Sequence, residues 1–324
     1  MAGWHQLAMA FALLLLTAGA QAQAPYPSRT TTIVVSAAPG GVTDALGRVL
    51  GQRLTQAWGQ QVIVENKPGA NNQIAAEYVA KAPADGYTLF VVPEVTFVVN
   101  PSLYAKLGYD PVKDFTPIVG LVTINHALIA HPSLPANDIK ELIDLAKRKP
   151  GELNYGTFGI GSSGHLNMEM LQTLAGAKFV PVHYRGATPA LTDVIAGHIQ
   201  LMFISLGSAV PPWRAGKVKM LAVGAPQRMS LLPEVPTIAE SGIPGYEAVS
   251  WFGLFGPAGM PRPVVDKING EVRRIFADPQ FQKSFLEPQF FESIAGAPEQ
   301  LSEYIRVEEP KWRKVIRDAN VKGE

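Results

Sequence analysis

The hydrophobic positions of this chain follow two periods in turn, the two-residue period of β-strands and the period of amphipathic helices. Glycine and proline separate the segments. Alternating elements of this kind predict a parallel or mixed sheet that is covered by helices. The predicted strands are 32–36, 61–65, 87–92, 118–124, 127–131, 153–157, 180–184, 199–204, 219–223 and 251–255. Helices are predicted from Thr43, over 73–80, from Asn137, through Leu166 to Leu174, and over 189–196, 262–277 and 298–318.

One pattern stands out between residues 32 and 44, where a strand, a glycine loop and a helix start follow one another. The loop contains Pro39, Gly40 and Gly41, and Thr43 is predicted to cap the helix. The unpaired N–H groups and the dipole of a helix N-terminus favour an anion at such a place. The same order recurs near residue 160. If the two loops begin separate domains, their helix N-termini can face one cleft.

The second loop, GIGSSG at 159–164, also matches the G-x-G-x-x-G pattern of dinucleotide-binding proteins. That pattern needs an acidic residue about 20 positions later to bind the ribose, and residues 170–192 contain no Asp or Glu. An anion site is the better interpretation, with backbone amides and the hydroxyls of Thr157, Ser162 and Ser163 as ligands. The alternative is a purely structural connection between strand and helix.

Ser162, Ser163 and His165 also raise the hypothesis of a serine hydrolase. The G-x-S-x-G arrangement of a nucleophile elbow is absent, and nothing in the sequence places Asp193 as a third member. We expect His165 to hydrogen-bond a ligand or its own loop. His126 and His131 lie five positions apart on a predicted strand without a suitably spaced carboxylate, so no metal site is expected.

Charge and composition narrow the classes of function. The net charge is +1, which argues against nucleic acid and against electrostatic membrane binding. The chain has no cysteine, so disulfides, thiolate metal sites and cysteine nucleophiles are excluded. Residues 1–22 have the features of a cleavable signal peptide: an apolar run over 7–18, too short to span a bilayer, precedes small residues. We therefore expect export to the periplasm as a free, monomeric protein.

Many short segments together resemble the substrate-binding receptors of tripartite tricarboxylate transporters, the Bug-type periplasmic proteins. The resemblance runs from about residue 26 to about residue 320, and its specificity lies in the number and order of the pieces. The segments are 26–29 (YPSR), 38–41 (APGG) with 43–44, 64–70 (VENKPGA), 83–89 (PADGYTL), 109–111 with 113–115, 161–162 with 165–166, 184–186, 191–193 with 196–197, 221–223 with 228, and 233–237 with 240, 242 and 244–246.

The resemblance implies an α/β, two-domain periplasmic-binding-protein fold of type II-like form, a Venus flytrap whose hinge consists of two crossover segments. Domain 1 would combine 25–124 with 249–324, and domain 2 would be 125–248. A small carboxylic acid would bind in the cleft between the domains and be delivered to two integral-membrane carrier subunits. The residues expected to bind it are Pro39, Gly40, Gly41, Thr43, Asp44, Thr157, Ser162, Ser163, His165 and Gly186. No catalytic residue, metal or cofactor is expected.

Three positions depart from the family pattern: Ala37, the pair Asn71–Asn72, and Glu94 after the strand 87–92. A carboxylate close to an anionic ligand would repel it. If Glu94 lines the cleft, the ligand should carry an amine or a hydroxyl opposite its carboxylate; otherwise Glu94 points to solvent. Two other functions remain open at this point: a periplasmic hydrolase that uses Ser163 and His165, and an orphan receptor that serves a sensor.

Overall fold

The computed structural model describes residues 26–323, so the predicted signal peptide over 1–22 lies outside the described residues. The strands are β1 (Thr31–Val35), β2 (Val62–Asn66), β3 (Thr88–Pro93), β4 (Phe115–Ala130), β5 (Asn154–Thr157), β6 (Val180–His183), β7 (Leu201–Ser205), β8 (Lys219–Val223), β9 (Val249–Pro257) and β10 (Phe291–Ser293). The helices are α1 (Val42–Trp58), α2 (Gln73–Ala80), α3 (Val95–Val98), α4 (Asn100–Leu103), α5 (Ile139–Arg148), α6 (Ser163–Ala175), α7 (Ala187–Ala196), α8 (Leu206–Arg214), α9 (Arg262–Ala277), α10 (Pro279–Phe281) and α11 (Pro298–Asp318).

The strands form a mixed sheet in the order β2-β1-β3-β9-β4-β7-β5-β6, and β8 and β10 also pair with β4. Its first half contains the parallel strands β2, β1 and β3, and β9 lies antiparallel between β3 and β4. Its second half contains β5, β6 and β7, which are parallel to one another. The α/β architecture expected from the alternating pattern is thus confirmed.

Strand β4 belongs to both halves. Phe115–Asn125 pair with β9, whereas His126–Ala130 pair with β7. The sequence predicted two strands, 118–124 and 127–131, because polar Asn125 and His126 interrupt the apolar run. That prediction was wrong: the two residues stay in a single strand, and only the pairing partners change between them.

Hydrophobic residues fill both faces of each half. In the first half, Ile33 and Leu254 pack against α1 and α9, while Phe90 and Trp251 pack against α3 and α11 on the opposite face. In the second half, cores on the two faces are built around Phe203 and Met202, respectively. The inner strands of each half are therefore buried on both faces, as a sheet between helices requires, whereas the edge strands β2 and β6 are partly exposed.

Two predicted helix caps were wrong. Helix α1 begins at Val42 with Gly41 at the N-cap position, and no side chain caps it, so Thr43 is already inside the first turn. Helix α5 is capped by Asp138, whose Oδ1 accepts from the Glu141 N–H at 2.8 Å, and not by Asn137.

The predictions for two other helices also need correction. Helix α8 was missed because Pro211 and Pro212 lie inside it and proline ordinarily ends a helix. In the helix predicted through Leu166 to Leu174, Leu166 is buried but Leu174 is 50 % exposed, so the two do not share one buried face of α6. By contrast, α9 and α11 have the predicted bounds, and α11 continues as one helix through Pro310.

Candidate ligand-binding site

The first glycine loop joins the carboxyl end of β1 to α1, and Asp44 holds it in shape. The Asp44 Oδ2 accepts from the Gly40 N–H at 3.0 Å and from Arg48 Nε at 2.9 Å. Its Oδ1 accepts from Asn66 Nδ2 at 2.8 Å, and the same amide donates to the Ala37 carbonyl at 2.9 Å. Asp44 therefore fixes the loop from three sides.

These bonds also set the charge of Asp44. Burial by itself would raise the pKa of this carboxyl group, but the hydrogen bonds from Arg48, Gly40 and Asn66 outweigh burial and hold the pKa below its ordinary value. The carboxylate is ionised and fully engaged by the protein. Asp44, which was expected to bind the ligand, instead stabilises the loop and the first turn of the helix through these bonds.

The two glycines of this loop border open space. A Cβ atom added at Gly40, whose φ is +91°, would have no atom within 4 Å, and one at Gly41 would approach only the Ala38 carbonyl at 3.9 Å. Because no side chain caps α1, the N–H groups of its first turn remain available to a ligand. Backbone amides are therefore the donors that this loop can offer.

The second glycine loop joins β5 to α6, and its own side chains stabilise it. The Ser162 hydroxyl donates to the Gly159 carbonyl at 2.7 Å and accepts from the His165 N–H at 3.4 Å, so Ser162 is the N-cap of α6. Thr157 Oγ1 accepts from the Gly159 N–H at 3.2 Å and lies 2.7 Å from His183 Nδ1. The Thr157 and Ser162 hydroxyls thus have partners within the protein.

His165 hydrogen-bonds its own loop, which is one of the two roles expected for it. Its Nδ1 accepts from the Gly161 N–H at 3.1 Å, and its Nε2 lies 3.6 Å from Glu169 Oε1. The Tyr155 hydroxyl and the Gln172 amide also donate to this oxygen, at 2.5 and 2.7 Å. The imidazole is buried and both of its ring nitrogens have partners within the protein, so neither is free to act as a catalytic base.

Ser163 has a different neighbour, which the sequence analysis missed. Its Oγ lies 3.4 Å from Nε2 of His126, a residue 37 positions away on β4. Burial lowers the pKa of His126 to about 4, so its imidazole is neutral at pH 7, and its Nδ1 has no partner. In sequence the only signal was a polar residue inside an apolar strand. The Ser163–His165 pair that a hydrolase would need is not formed.

Gly186 occupies a third helix start. It has a φ of +138°, lies at the N-cap position of α7 without a side-chain cap, and a Cβ there would meet no atom within 4 Å. Helices α1, α6 and α7 thus all start where β1, β5 and β6 end. Ligands of open α/β sheets bind at the carboxyl ends of the strands, which is where these three starts lie.

The second loop touches the first half of the molecule at Gly161. A Cβ there would overlap the Leu103 side chain and would lie 3.2 Å from Asn71 Nδ2. Asn71 is fixed in turn, because its Nδ2 donates to Asn100 Oδ1 and its carbonyl accepts from Asn100 Nδ2, both at 2.8 Å. The departure from the family pattern at Asn71 therefore lies where the two halves meet.

Glu94 does not point to solvent. It directly follows β3, is only 1 % exposed, and its Oε2 has no hydrogen-bond partner. Burial raises its pKa to about 7, although a hydrogen bond from Ser250 opposes the change. Since β1 and β3 are parallel neighbours, Glu94 lies at the same sheet edge as the first glycine loop.

A cavity of about 710 Å³ lies elsewhere, and we call it the rear cavity. No residue predicted to bind a ligand lines it. Its walls include Trp251, Tyr304, Glu308, Arg228 and Glu292. Among residues 26–323, no cluster of three or more His, Asp or Glu side chains is placed to hold a metal ion. No helix in this part of the chain is long and apolar enough to cross a membrane.

The chain is similar to known proteins over most of its length. The family model described as tripartite tricarboxylate transporter family receptor matches residues 46–321. A relative from Pseudomonas sp. (strain P51), the UPF0065 protein in the tcbD-tcbE intergenic region, is 36 % identical over 292 residues, which cover 90 % of this chain and 86 % of that protein.

Two solved structures from Rhodopseudomonas palustris share the fold. Rpa4515 with adipate has a TM-score of 0.87 and 35 % identity, covering 92 % of this chain and 99 % of that one. MatC with bound malate has a TM-score of 0.82 and 32 % identity, covering 90 % and 100 %.

These matches confirm the resemblance and the periplasmic-binding-protein fold, and they exclude the hydrolase alternative, because the family and its solved members are solute-binding receptors. The chain belongs to the family of tripartite tricarboxylate transporter receptors.

Proposed function

We propose that this receptor captures a small carboxylate between two lobes and closes around it. The N-lobe comprises residues 26–124 and 249–323, and the C-lobe comprises residues 125–248. The division is supported by β4, whose pairing changes from β9 to β7 between Asn125 and His126. The hinge would then consist of this point and the return of the chain into β9, and the contact of Gly161 with Leu103 would close the lobes.

The observation that carries the proposal is the set of three helix starts at the carboxyl ends of strands, one in the N-lobe and two in the C-lobe. At two of them, the starts of α1 and α7, glycines border open space and no side chain caps the helix. A carboxylate at each N-terminus gains from the helix dipole, typically about 0.3–1 kcal/mol and more where the site is partly buried. Asp44 and Ser162 hold the two loops from within, so their amides are oriented before the ligand arrives. Adipate and malate in the two solved relatives are carboxylates of the expected kind.

The assignment of contact residues follows from the same geometry. Gly40, Gly41 and Gly186 border open space, and Ser163 is half-buried at the start of α6; these four residues would be the direct contacts. Asp44, Thr157, Ser162 and His165 bind the loops and act on the ligand only by positioning them. Pro39 and Thr43 shape the first loop and the first turn of α1.

The family name implies the partners. The loaded receptor would deliver its ligand to two integral-membrane carrier subunits, and the closed form would present the surface that they recognise. A leader over residues 1–22 would direct the mature, monomeric protein to the periplasm, where such carriers collect solutes. The alternative is that the loaded receptor binds a sensor instead of a transporter.

The test is calorimetric titration of the mature protein with adipate, malate, succinate and butyrate, together with thermal unfolding. At a ligand concentration of 100 Kd, binding adds about 2.7 kcal/mol to the free energy of unfolding. Ser163→Ala should weaken binding, while Ser302→Ala on exposed α11 should not. If neither titration nor unfolding responds to any carboxylate, the proposal fails.

A further inference from the structure

Buried polar atoms without partners are concentrated where the two halves of the sheet meet. They include Glu94 Oε2 and Thr96 Oγ1 after β3, Asn125 Oδ1 and His126 Nδ1 at the partner change of β4, and Asn167 Nδ2 on α6. A buried polar group that lacks a hydrogen-bond partner destabilises the folded protein. Such a concentration at one place indicates a site that a polar molecule completes.

Glu94 is the charged member of this group. Its backbone N–H donates to the Trp251 carbonyl at 3.0 Å, and its side chain bonds Ser250, so it is anchored to β9. The charged group that acts on it from another element is Glu308 of α11, which has the same sign. Among the described residues no cation pairs with it. An ionised, fully buried carboxylate without a cation is costly, so the empty receptor lacks the partner that Glu94 requires.

Two short paths connect Glu94 to the proposed ligand site. Strands β1 and β3 are adjacent and parallel, with Val35 opposite Val91, so the first glycine loop starts beside the chain that leads to Glu94. On the other side, Ser250 pairs with Ile124, two residues before His126 on β4, and His126 lies 3.4 Å from Ser163 of the second loop. Neighbouring strands therefore connect Glu94 to both glycine loops.

We propose that Glu94 binds an ammonium group of the ligand, so that the solute is a small carboxylate that also carries an amine. The inference rests on the proposed function. The helix starts take the carboxylate, and Glu94 takes the opposite charge on the same molecule. An ammonium group offers three donors and a positive charge, whereas a hydroxyl offers one donor and no charge. A second carboxylate in that place would meet Glu94 with the same sign.

The experiment is calorimetric titration with a matched series of four-carbon acids: 2-aminobutyrate, 4-aminobutyrate, aspartate, 2-hydroxybutyrate, butyrate and succinate. We expect at least one amine to bind about tenfold or more tighter than butyrate. Titrations at pH 7 in phosphate and in Tris should show that protons are released, because Glu94 ionises when the ammonium group arrives. Succinate binding would instead take up protons.

Glu94→Gln keeps the size and the acceptor but removes the charge, and it should reduce the preference for the amine to about threefold or less. Glu152→Gln, on the surface before β5, is the control for charge alone. Glu292→Gln is the control for the rear cavity, which Trp251 and Glu308 also line. Both controls should keep the wild-type preference, and thermal unfolding without ligand verifies that each variant is folded.

Several results would overturn the inference. If plain carboxylates bind but no amine binds better, or if Glu94→Gln keeps the preference, Glu94 does not bind an ammonium group while the receptor function stands. Loss of the preference in Glu292→Gln would place the amine in the rear cavity. Tighter binding of succinate with proton uptake would make Glu94 a donor to a second carboxylate. If no acid in the series binds, the proposed function fails as well.

Discussion

At the scale of single residues, charged groups near the site stabilise the protein before any ligand arrives. Asp44 is the clearest case, because three donors from separate parts of the chain converge on its two oxygens. Its position in the first turn of α1 was apparent from the sequence. Its partner Asn66, at the end of β2, was not, because the contact depends on the pairing of β1 with β2.

Asp44→Ala should lower the free energy of unfolding by about 2 kcal/mol, since it leaves the Asn66 amide and the Gly40 N–H without their acceptor. It should also weaken carboxylate binding, because the loop loses its fixed shape. Denaturant unfolding and calorimetry measure the two effects. Asp144→Ala, an exposed position on α5, is the control, and equal stability of the two variants would contradict the role assigned to Asp44.

Glu94 predicts an unusual dependence of stability on pH. Burial raises its pKa to about 7 in the folded protein, from an ordinary value of 4.5. The folded state therefore binds more protons between these values, and the contribution of Glu94 to stability is lost as the pH rises through 7. The full difference corresponds to about 3 kcal/mol. The stability of Glu94→Gln relative to the wild type should therefore increase from pH 5 to pH 8, as measured by urea unfolding without ligand.

His126 has the opposite effect on how the stability depends on pH. Burial lowers its pKa to about 4, from 6.5, so the folded state binds fewer protons over this range and its contribution to stability is lost as the pH falls. In the wild type the two groups offset each other between pH 4.5 and 6.5. Glu94→Gln should therefore show a clear loss of stability on acidification that the wild type largely conceals. A flat difference between the two proteins from pH 5 to pH 8 would contradict the assignment for Glu94. A stability of Glu94→Gln that does not fall on acidification would contradict the assignment for His126.

At the scale of the elements, the loops depend on glycine at one point in particular. Gly161 has a φ of +72° and lies against Leu103 and Asn71 of the first half of the molecule. Gly161→Ala should weaken ligand binding by tenfold or more, about 1.4 kcal/mol, because it strains the loop and would hold the two proposed lobes apart.

Gly216→Ala is the matched control, since Gly216 also has a positive φ, +68°, but a Cβ there meets no atom within 4 Å. It reproduces the backbone strain without the contact. Calorimetry on both variants separates the two causes. If they weaken binding equally, strain and not contact between the lobes explains the effect of Gly161→Ala.

The elements themselves were largely predictable, because β-branched runs and helical periodicity are local properties. The strand 219–223 and the helices 262–277 and 298–318 were found with the observed bounds. The site was predictable only in part. Both glycine loops were recognised from their strand–glycine–helix order, but the contact of Ser163 with His126 and the burial of Glu94 depend on which strands become neighbours, and no local pattern reports that.

At the scale of the whole molecule, the C-terminal helix α11 ties distant parts of the chain together. Trp312 is 1 % exposed within the core shared by β3, β9 and α3, and its Nε1 donates to Glu308 at 3.0 Å. Trp312→Ala should therefore cost about 3–5 kcal/mol of stability. Exposed Arg306→Ala should cost less than about 1 kcal/mol. Denaturant unfolding measures the free energy of unfolding of both variants. A small effect of Trp312→Ala would show that α11 contributes little to the stability of the fold.

The position of β9 has a consequence for how the chain folds. β9 lies between β3 and β4, so the first half of the sheet lacks its central strand until residues 249–257 have been made. During synthesis, β1 to β4 are therefore complete long before β9, and the sheet that they share with β9 cannot form. Pairings between strands so far apart in the chain also form slowly. If the chain is exported unfolded, as the proposed leader over residues 1–22 implies, this delay is an advantage, because the first half of the sheet stays incomplete until residues 249–257 have been made.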